Sequence, residues 1–354
     1  MKNILKNLSK KTKEALNYYI SGLILSESKK TCTKLASLIK KKHDFLYQFL
    51  SKKFLSEIFS NLMIVLVKEI HKNLPGWIII DDTILSKFFS KLIVGVYDLY
   101  NAALKRPDRG FCIIVLCWSN GKITIPIKFK WLFSKEIIGE KHKTKSNLAE
   151  ELLFFCKRKK IPFKYFTADG HYSTVNFLPF LIGQKIKFVM KISRNRKIKT
   201  SNGIYEQLQK HPSLKLLRNS RCAKVKAFYH GEQYFFSSQK VEKKYGGYET
   251  IYLISNVDVK AKKYLEMYRG RWEIEEMFRT LKQSLGLNDC QARDIDKQKV
   301  HIYASLFAYA FLSIEKNRLN LKNPEETKME LLQLKLNKVI CRIASFRGNF
   351  QCFA

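Results

Sequence analysis

Tyr268-Arg-Gly-Arg-Trp-Glu-Ile-Glu-Glu-Met-Phe-Arg-Thr-Leu-Lys282 sets a phenol at Tyr268, a guanidinium at Arg271, a carboxylate at Glu275 and an ammonium at Lys282. An α-helix turns ~100° per residue, so on one helix these four side chains share a sector of roughly 60°. Ile274, Met277, Phe278, Leu281 and Leu285 occupy the adjoining sector, as a core-facing stripe does. The periodicity predicts one helix over 262–285, with Gly286 placed to stop it. Glu273 and Glu276 project away from Glu275, which leaves Glu275 as the acid on the cationic face. A carboxylate held rigidly between two cations suits a metal ligand with phosphate-binding neighbours. A merely solvated amphipathic helix would carry the same charges, so acids elsewhere must decide.

Two such places exist. After Pro75-Gly76, the β-forming run Trp77-Ile-Ile-Ile80 leads into Asp81-Asp82-Thr83. A buried strand ending in two acids is unusual, because charges avoid burial unless paired or metal-bound. Strands are expected at 112–118 and 123–129 around the turn Ser119-Asn-Gly121. A helix follows at 145–157, then a strand at 164–168 that runs into Asp169-Gly170, a helix at 174–182 and a strand at 186–192. This order predicts an α/β fold with a mixed sheet covered by helices. In such sheets active sites form at the carboxyl ends of strands, where Asp81, Asp82 and Asp169 stand. Successive strand residues face opposite ways, so Asp81 and Asp82 cannot both face one site. Alternation does not choose between them. Converging carboxylates can hold Mg²⁺ ions ~3.5–4 Å apart for in-line phosphodiester cleavage or transfer. His171 is expected to touch phosphate or pack, and Trp272 to pack against the sheet.

Residues 1–75 are expected to form three short helices resembling a helix-turn-helix module, with Lys40, Lys41 and Lys42 suited to phosphate. Between 193 and 250 short alternating runs predict a β-rich insertion, and helices resume at 300–317 and 325–344. Lys+Arg number 66 against 30 Asp+Glu, a formal charge of +36 that implies a polyanionic partner, nucleic acid above all. The eight cysteines show no zinc-type spacing, and free thiols in a reducing cytoplasm account for them. No secretory leader is evident, and the apolar stretch near 302–314 is too short to span a bilayer.

The Tyr268–Arg271–Glu275–Lys282 spacing resembles the Tyr-Arg-Glu-Lys signature of DDE transposases of the insertion-sequence-four group. Tyr268-Arg-Gly-Arg-Trp-Glu-Ile-Glu275 is similar to that group as well. So are Asp81-Asp82-Thr83, where the family's first acid precedes a Thr, and Asp169-Gly-His-Tyr172, where an Asp is followed three residues later by Tyr. The stretch from 19–26 through 46–51 resembles its helical DNA-binding region. Gly170-His171 departs from the residues common at the start of the second motif.

The resemblance implies an RNase H-like catalytic core with a β-rich insertion and an N-terminal helical DNA-binding domain. The units would be 1–75 (DNA binding), 76–192 (core, first part), 193–250 (insertion), 251–320 (core, second part) and 321–354 (C-terminal helical tail). It favours Asp82 over Asp81, so Asp82, Asp169 and Glu275 would be the catalytic, metal-binding acids for Mg²⁺ or Mn²⁺. Tyr268, Arg271 and Lys282 would hold DNA phosphates. The implied activity is binding of terminal inverted repeats, strand cleavage at the transposon ends and joining of the 3′-hydroxyl to target DNA. A homodimer would pair two ends, in the bacterial cytoplasm at the nucleoid. A non-catalytic DNA-binding descendant and another RNase H-fold nuclease are the alternatives.

Overall fold

The computed structural model describes residues 2–333 apart from 91, 103, 201–202, 218 and 244–245. The chain opens with five helices, α1 (Lys2–Lys6), α2 (Lys10–Leu25), α3 (Cys32–Leu38), α4 (His43–Leu50) and α5 (Leu55–Asn73), where three were expected. Ser9 and Thr31 cap α2 and α3 by accepting from Thr12 N–H and Lys34 N–H. β1 (Trp77–Ser86), β2 (Tyr97–Asn101), β3 (Arg106–Ser119) and β4 (Thr124–Leu132) follow. Next come α6 (Lys135–Ile138), α7 (Lys145–Arg158), β5 (Phe166–Ala168), α8 (Phe177–Gly183) and β6 (Phe188–Ile192). Thr144 and Asn147 close a reciprocal capping box at the start of α7.

The inserted segment supplies β7 (Lys197–Lys199), β8 (Tyr205–Gln207), β9 (Cys222–Tyr229) and β10 (Glu232–Glu242), and β11 (Tyr248–Ser255) returns from it. The helices α9 (Ala261–Arg269), α10 (Trp272–Gln283), α11 (Ile295–Arg318) and α12 (Pro324–Leu332) complete the described chain. The rest of the tail expected to be helical, 334–344, lies outside the described residues. So do Cys341 and Cys352; the six described cysteines are free.

One sheet unites these strands in the order β2-β3-β1-β5-β6-β11-β10-β9-β7-β8, with β4 also on β3. β1 is antiparallel to β3 but parallel to β5, which is parallel to β6. The central order β4-β3-β1-β5-β6 in this mixed sheet fits an RNase H-like core. β11 adds antiparallel to β6, so the inserted strands extend the same sheet instead of standing apart.

Helices cover both faces of the core. α10 lies on the face of Ile79 and Cys117, whose thiol is 3.8 Å from the Met277 sulfur. On that face too, Tyr303 of α11 meets Phe129, with ring centroids 4.9 Å apart. The opposite face belongs to α7 and α8, which meet through Phe154 and Phe180. The N-terminal helices share this core: Phe59 of α5 packs on Phe307 of α11, and Tyr19 of α2 on Phe49 of α4. No helix among the described residues is long and apolar enough to cross a membrane.

Two local features differ from expectation. β1 does not stop at the acids but runs through them to Ser86. The helix expected over 262–285 is interrupted: at Gly270 and Arg271 the amides bond three residues back, to Met267 and Tyr268 carbonyls, and α10 starts afresh at Trp272. The cause is Trp77. Its Nε1–H donates to the Gly270 carbonyl at 3.2 Å, and its ring packs so close that a Cβ on residue 270 would lie 2.5 Å from it. Taking a carbonyl out of the helical ladder kinks a helix there.

A buried pair ties α2 to α11. Tyr19 Oη donates to His301 Nδ1 at 2.7 Å, and His301 Nε2–H donates to the Gly286 carbonyl at 2.9 Å. Both nitrogens are thereby used by a neutral ring, and burial pushes its pKa down to about 4. An unfolded histidine titrates near 6.5, so this contribution to stability is complete above that pH and is lost as pH falls towards 4. Urea unfolding at pH 7 and pH 5 should therefore show a smaller loss in His301→Gln than in the wild type. Tyr19→Phe, which strands the Nδ1 acceptor, should cost about 1–3 kcal/mol at pH 7.

Candidate active site

Strand register decides what the two adjacent acids of β1 can do. Ile80 of β1 pairs with Ala168 of β5, and each is followed by an acid. Asp169 keeps extended backbone, with φ −71° and ψ 166°. Asp81 and Asp169 are thus matched on neighbouring parallel strands, roughly 4.8 Å apart in backbone, and face the same side. That side is the one covered by α10. Asp81 accepts from Arg271 Nη1 at 3.0 Å, while Arg271 Nη2 donates to Glu275 one turn along. Arg271 therefore joins an acid of the sheet to the acid of the helix.

Asp82 points the other way. Lys145, the first residue of α7, donates to both its oxygens at 2.8 Å, and the Cys112 thiol is 3.8 Å from Oδ2. The Asp82–Asp169–Glu275 grouping expected from the motif thus meets a different geometry. Asp169 shares the side of Asp81 and Arg271 links Asp81 to Glu275, whereas the period of two in β1 turns Asp82 to the α7 face. Lys145 escaped the sequence reading because nothing near it announces an acid 63 residues away. Asp81 had a signal, being one of the two acids, but its face was not readable without the register.

The electrostatics agree with this grouping. Burial pushes the Asp81 carboxyl up to about 7; Arg271 pulls it down, and the charges of Asp82 and Asp169 push it further up. Burial works against the charge of Arg271, yet Tyr268, Glu275 and Asp81 outweigh it and hold the guanidinium more firmly protonated than usual. Burial likewise opposes the Lys145 ammonium, and Asp82 overcomes it. Tyr268, at the end of α9, is pushed up to about 12 by burial, and the Arg271 guanidinium lies 5.7 Å from its ring centre. Burial lowers Lys282, whose neighbours include Cys112 and Asp108.

Other expected residues fall elsewhere. Glu273 accepts from the Thr124 hydroxyl and Glu276 pairs with Arg279, so neither joins the site. Trp272, expected to pack on the sheet, is 62% exposed beside Arg271. His171 is exposed in a short 3-10 turn, while Tyr172 in the same turn is buried with no partner for its hydroxyl among the described residues.

The donor set at Asp81, Asp169 and Glu275 is all carboxylate oxygen, the chemistry that suits Mg²⁺ or Mn²⁺. Among the described residues no three His, Cys, Asp or Glu side chains converge closely enough to hold an ion as they stand. Arg271 stands between two of these acids, donating to both Asp81 and Glu275. Arg271 Nε, buried and without a partner among the described residues, adds an unused donor at the same place.

Asp81, midway along β1, thus stands level with Asp169, just past the end of parallel β5, in a mixed sheet that fits an RNase H-like core. The chain belongs to the DDE superfamily of endonucleases, whose model matches residues 3–204, more than half of its length. The model of the transposase DDE domain matches residues 137–311, just under half of the chain, and supports a DDE transposase. The fold is similar to that of piggyBac transposase, solved by cryo-EM as a synaptic complex with hairpin DNA. The TM-score is 0.51 at 13% identity, over 99% of this chain and 78% of that one. Kluyveromyces polysporus Argonaute with a guide RNA aligns at a TM-score of 0.28 and 11% identity, over 71% of this chain and 36% of that one, too weak to inform the fold. No curated protein sequence matches the chain.

A carboxyl raised by folding binds its proton more tightly in the native state, so its favourable contribution is present below the unfolded value near 4 and is lost as pH rises through about 7. In metal-free buffer the wild type should therefore lose stability relative to Asp81→Asn between pH 5 and pH 8, measured as the difference in urea midpoints. Asp169→Asn, by removing a charge that raises Asp81, should weaken that dependence.

Proposed function

We propose that this chain is a transposase of the insertion-sequence-four type that cuts DNA at transposon ends and transfers the freed strand. The observation that carries this reading is the Asp81–Asp169 pair on adjacent parallel strands, facing the helix that carries Glu275, in a member of the DDE superfamily. Asp81, in place of Asp82, is then the first acid of the triad. Asp82 acts on the other face by fixing Lys145 and the start of α7.

Mg²⁺ or Mn²⁺ bound by Asp81, Asp169 and Glu275 would activate the attacking water or 3′-hydroxyl and stabilise the leaving oxygen. The chain's own groups do the rest. Arg271 neutralises Asp81 and Glu275 in the arrangement described, and its unpartnered Nε–H is a donor for a phosphate oxygen. Tyr268, beside that guanidinium, and Lys282, about two turns along α10 from Glu275, would hold the phosphates flanking the cut. Exposed Trp272 offers a stacking surface next to them. The basic N-terminal helices would grip the inverted repeat, and two protomers would pair two ends.

The test uses duplexes carrying the sequences that flank the reading frame, with Mg²⁺ or Mn²⁺. Asp81→Asn, Asp169→Asn and Glu275→Gln should each lower cleavage by at least about 10²–10³-fold while retaining binding by fluorescence anisotropy. Asp82→Asn should keep substantially more activity than Asp81→Asn. Normal cleavage by Asp81→Asn would remove Asp81 from the site. Binding with no wild-type cleavage of any end would favour the non-catalytic alternative.

A further inference from the structure

The edge of the sheet at β4 holds a cavity of about 410 Å³ between α5, α7 and α11. Four cations line it: Lys128 on β4, Arg158 and Lys159 at the end of α7, and Lys299 on α11. Glu57 is the lining carboxylate, and it is exposed. Among the described residues none of the four cations has a carboxylate at ion-pair distance, whereas nearby Lys130 does, on Glu151.

Ordinary helix electrostatics explains only part of this. Arg158 and Lys159 complement the negative end of α7. That does not account for Lys128, half-buried with its ammonium 4.1 Å from the Phe155 ring centre. Burial, and then the charges of Lys130, Lys299, Arg158 and Lys159, lower its pKa. Like charges gathered without a counterion repel, and the arrangement is relieved when an anion sits among them. Ser56 supplies a second observation. It lines the same cavity, is 5% exposed, and its hydroxyl lacks a partner among the described residues. A buried hydroxyl without a partner is costly unless something completes it.

We infer that this groove binds backbone phosphates of duplex DNA, through Lys128, Arg158, Lys159 and Lys299 with Ser56 as a neutral donor. It is separate from the catalytic acids. Lys145, on Asp82, starts α7, and Arg158 ends it 13 residues on, ~20 Å away at 1.5 Å per residue. That spans about six base pairs, so the groove would hold DNA well to one side of the scissile phosphate. The inference rests on the DNA-cutting function proposed above.

Salt dependence tests it. Each phosphate contact contributes about 0.9 to the slope of log K against log salt on duplex DNA. In anisotropy titrations, Arg158→Gln/Lys299→Gln should flatten the slope by about two relative to wild type and weaken binding to all sequences alike. Lys122→Gln/Lys187→Gln removes the same charge at the end of the sheet away from the acids, and should leave the slope within about half a unit of wild type. Equal slopes for the two double variants, with both still folded by thermal melt, would overturn the inference. Inorganic phosphate separates the two sources of this chemistry. If it binds wild type saturably and Arg158→Gln/Lys299→Gln does not, while the DNA slopes coincide, the groove takes small anions and not DNA. Absence of any wild-type binding to DNA would sink the proposed function as well, whereas cleavage with coincident slopes would sink this inference alone.

Discussion

A buried guanidinium joins the two halves of the site. Arg271 reaches from the start of α10 to Asp81 in the sheet and to Glu275 on its own helix. Acids in the middle of an interior strand are costly unless a cation meets each of them. β1 carries two in succession and stays regular because each finds its own, Arg271 on one face and Lys145 on the other. Without those cations the strand would have reason to end where sequence periodicity ends it, at Ile80.

Packing around Trp77 sets where that guanidinium stands. The indole stacks on Tyr165 at an interplanar angle of 9° and takes the Gly270 carbonyl. Glycine lets the ring come close, and the lost helical bond divides α9 from α10. Tyr268 consequently lies in the last turn of one helix and Arg271 just before the first turn of the next, so the two are not simply neighbours on a single cylinder. Tyr268, Arg271 and Glu275 still meet, but through a kink locked onto the sheet.

Much of this was legible in the chain. The apolar runs of 77–80 and 186–192, the turn at Ser119-Asn-Gly121 and the helical periods after residue 262 announced an α/β core with an inserted β segment. Their ends were less legible. β2 carries polar and exposed residues, so its alternation gives little contrast, and its place in the sheet comes from pairing with the start of β3. The short helices α3 and α4 are divided by Lys40, whose positive φ of 51° marks a turn that a lysine does not advertise.

Composition, motif spacing and local periodicity determined by themselves that the protein is strongly basic, that its sheet is mixed and that acids stand on neighbouring strands beside a cationic helix. These depend on residue types and distances along the chain. Which acid of the adjacent pair joins Asp169 and Glu275 was decided by tertiary structure alone. A one-residue change of register reverses every side chain of a strand, and register is set by pairing with β5 and β3, far away in sequence. The lysine that holds Asp82 and the cations gathered at the β4 edge have the same origin, because charge balance across space has no period along the chain.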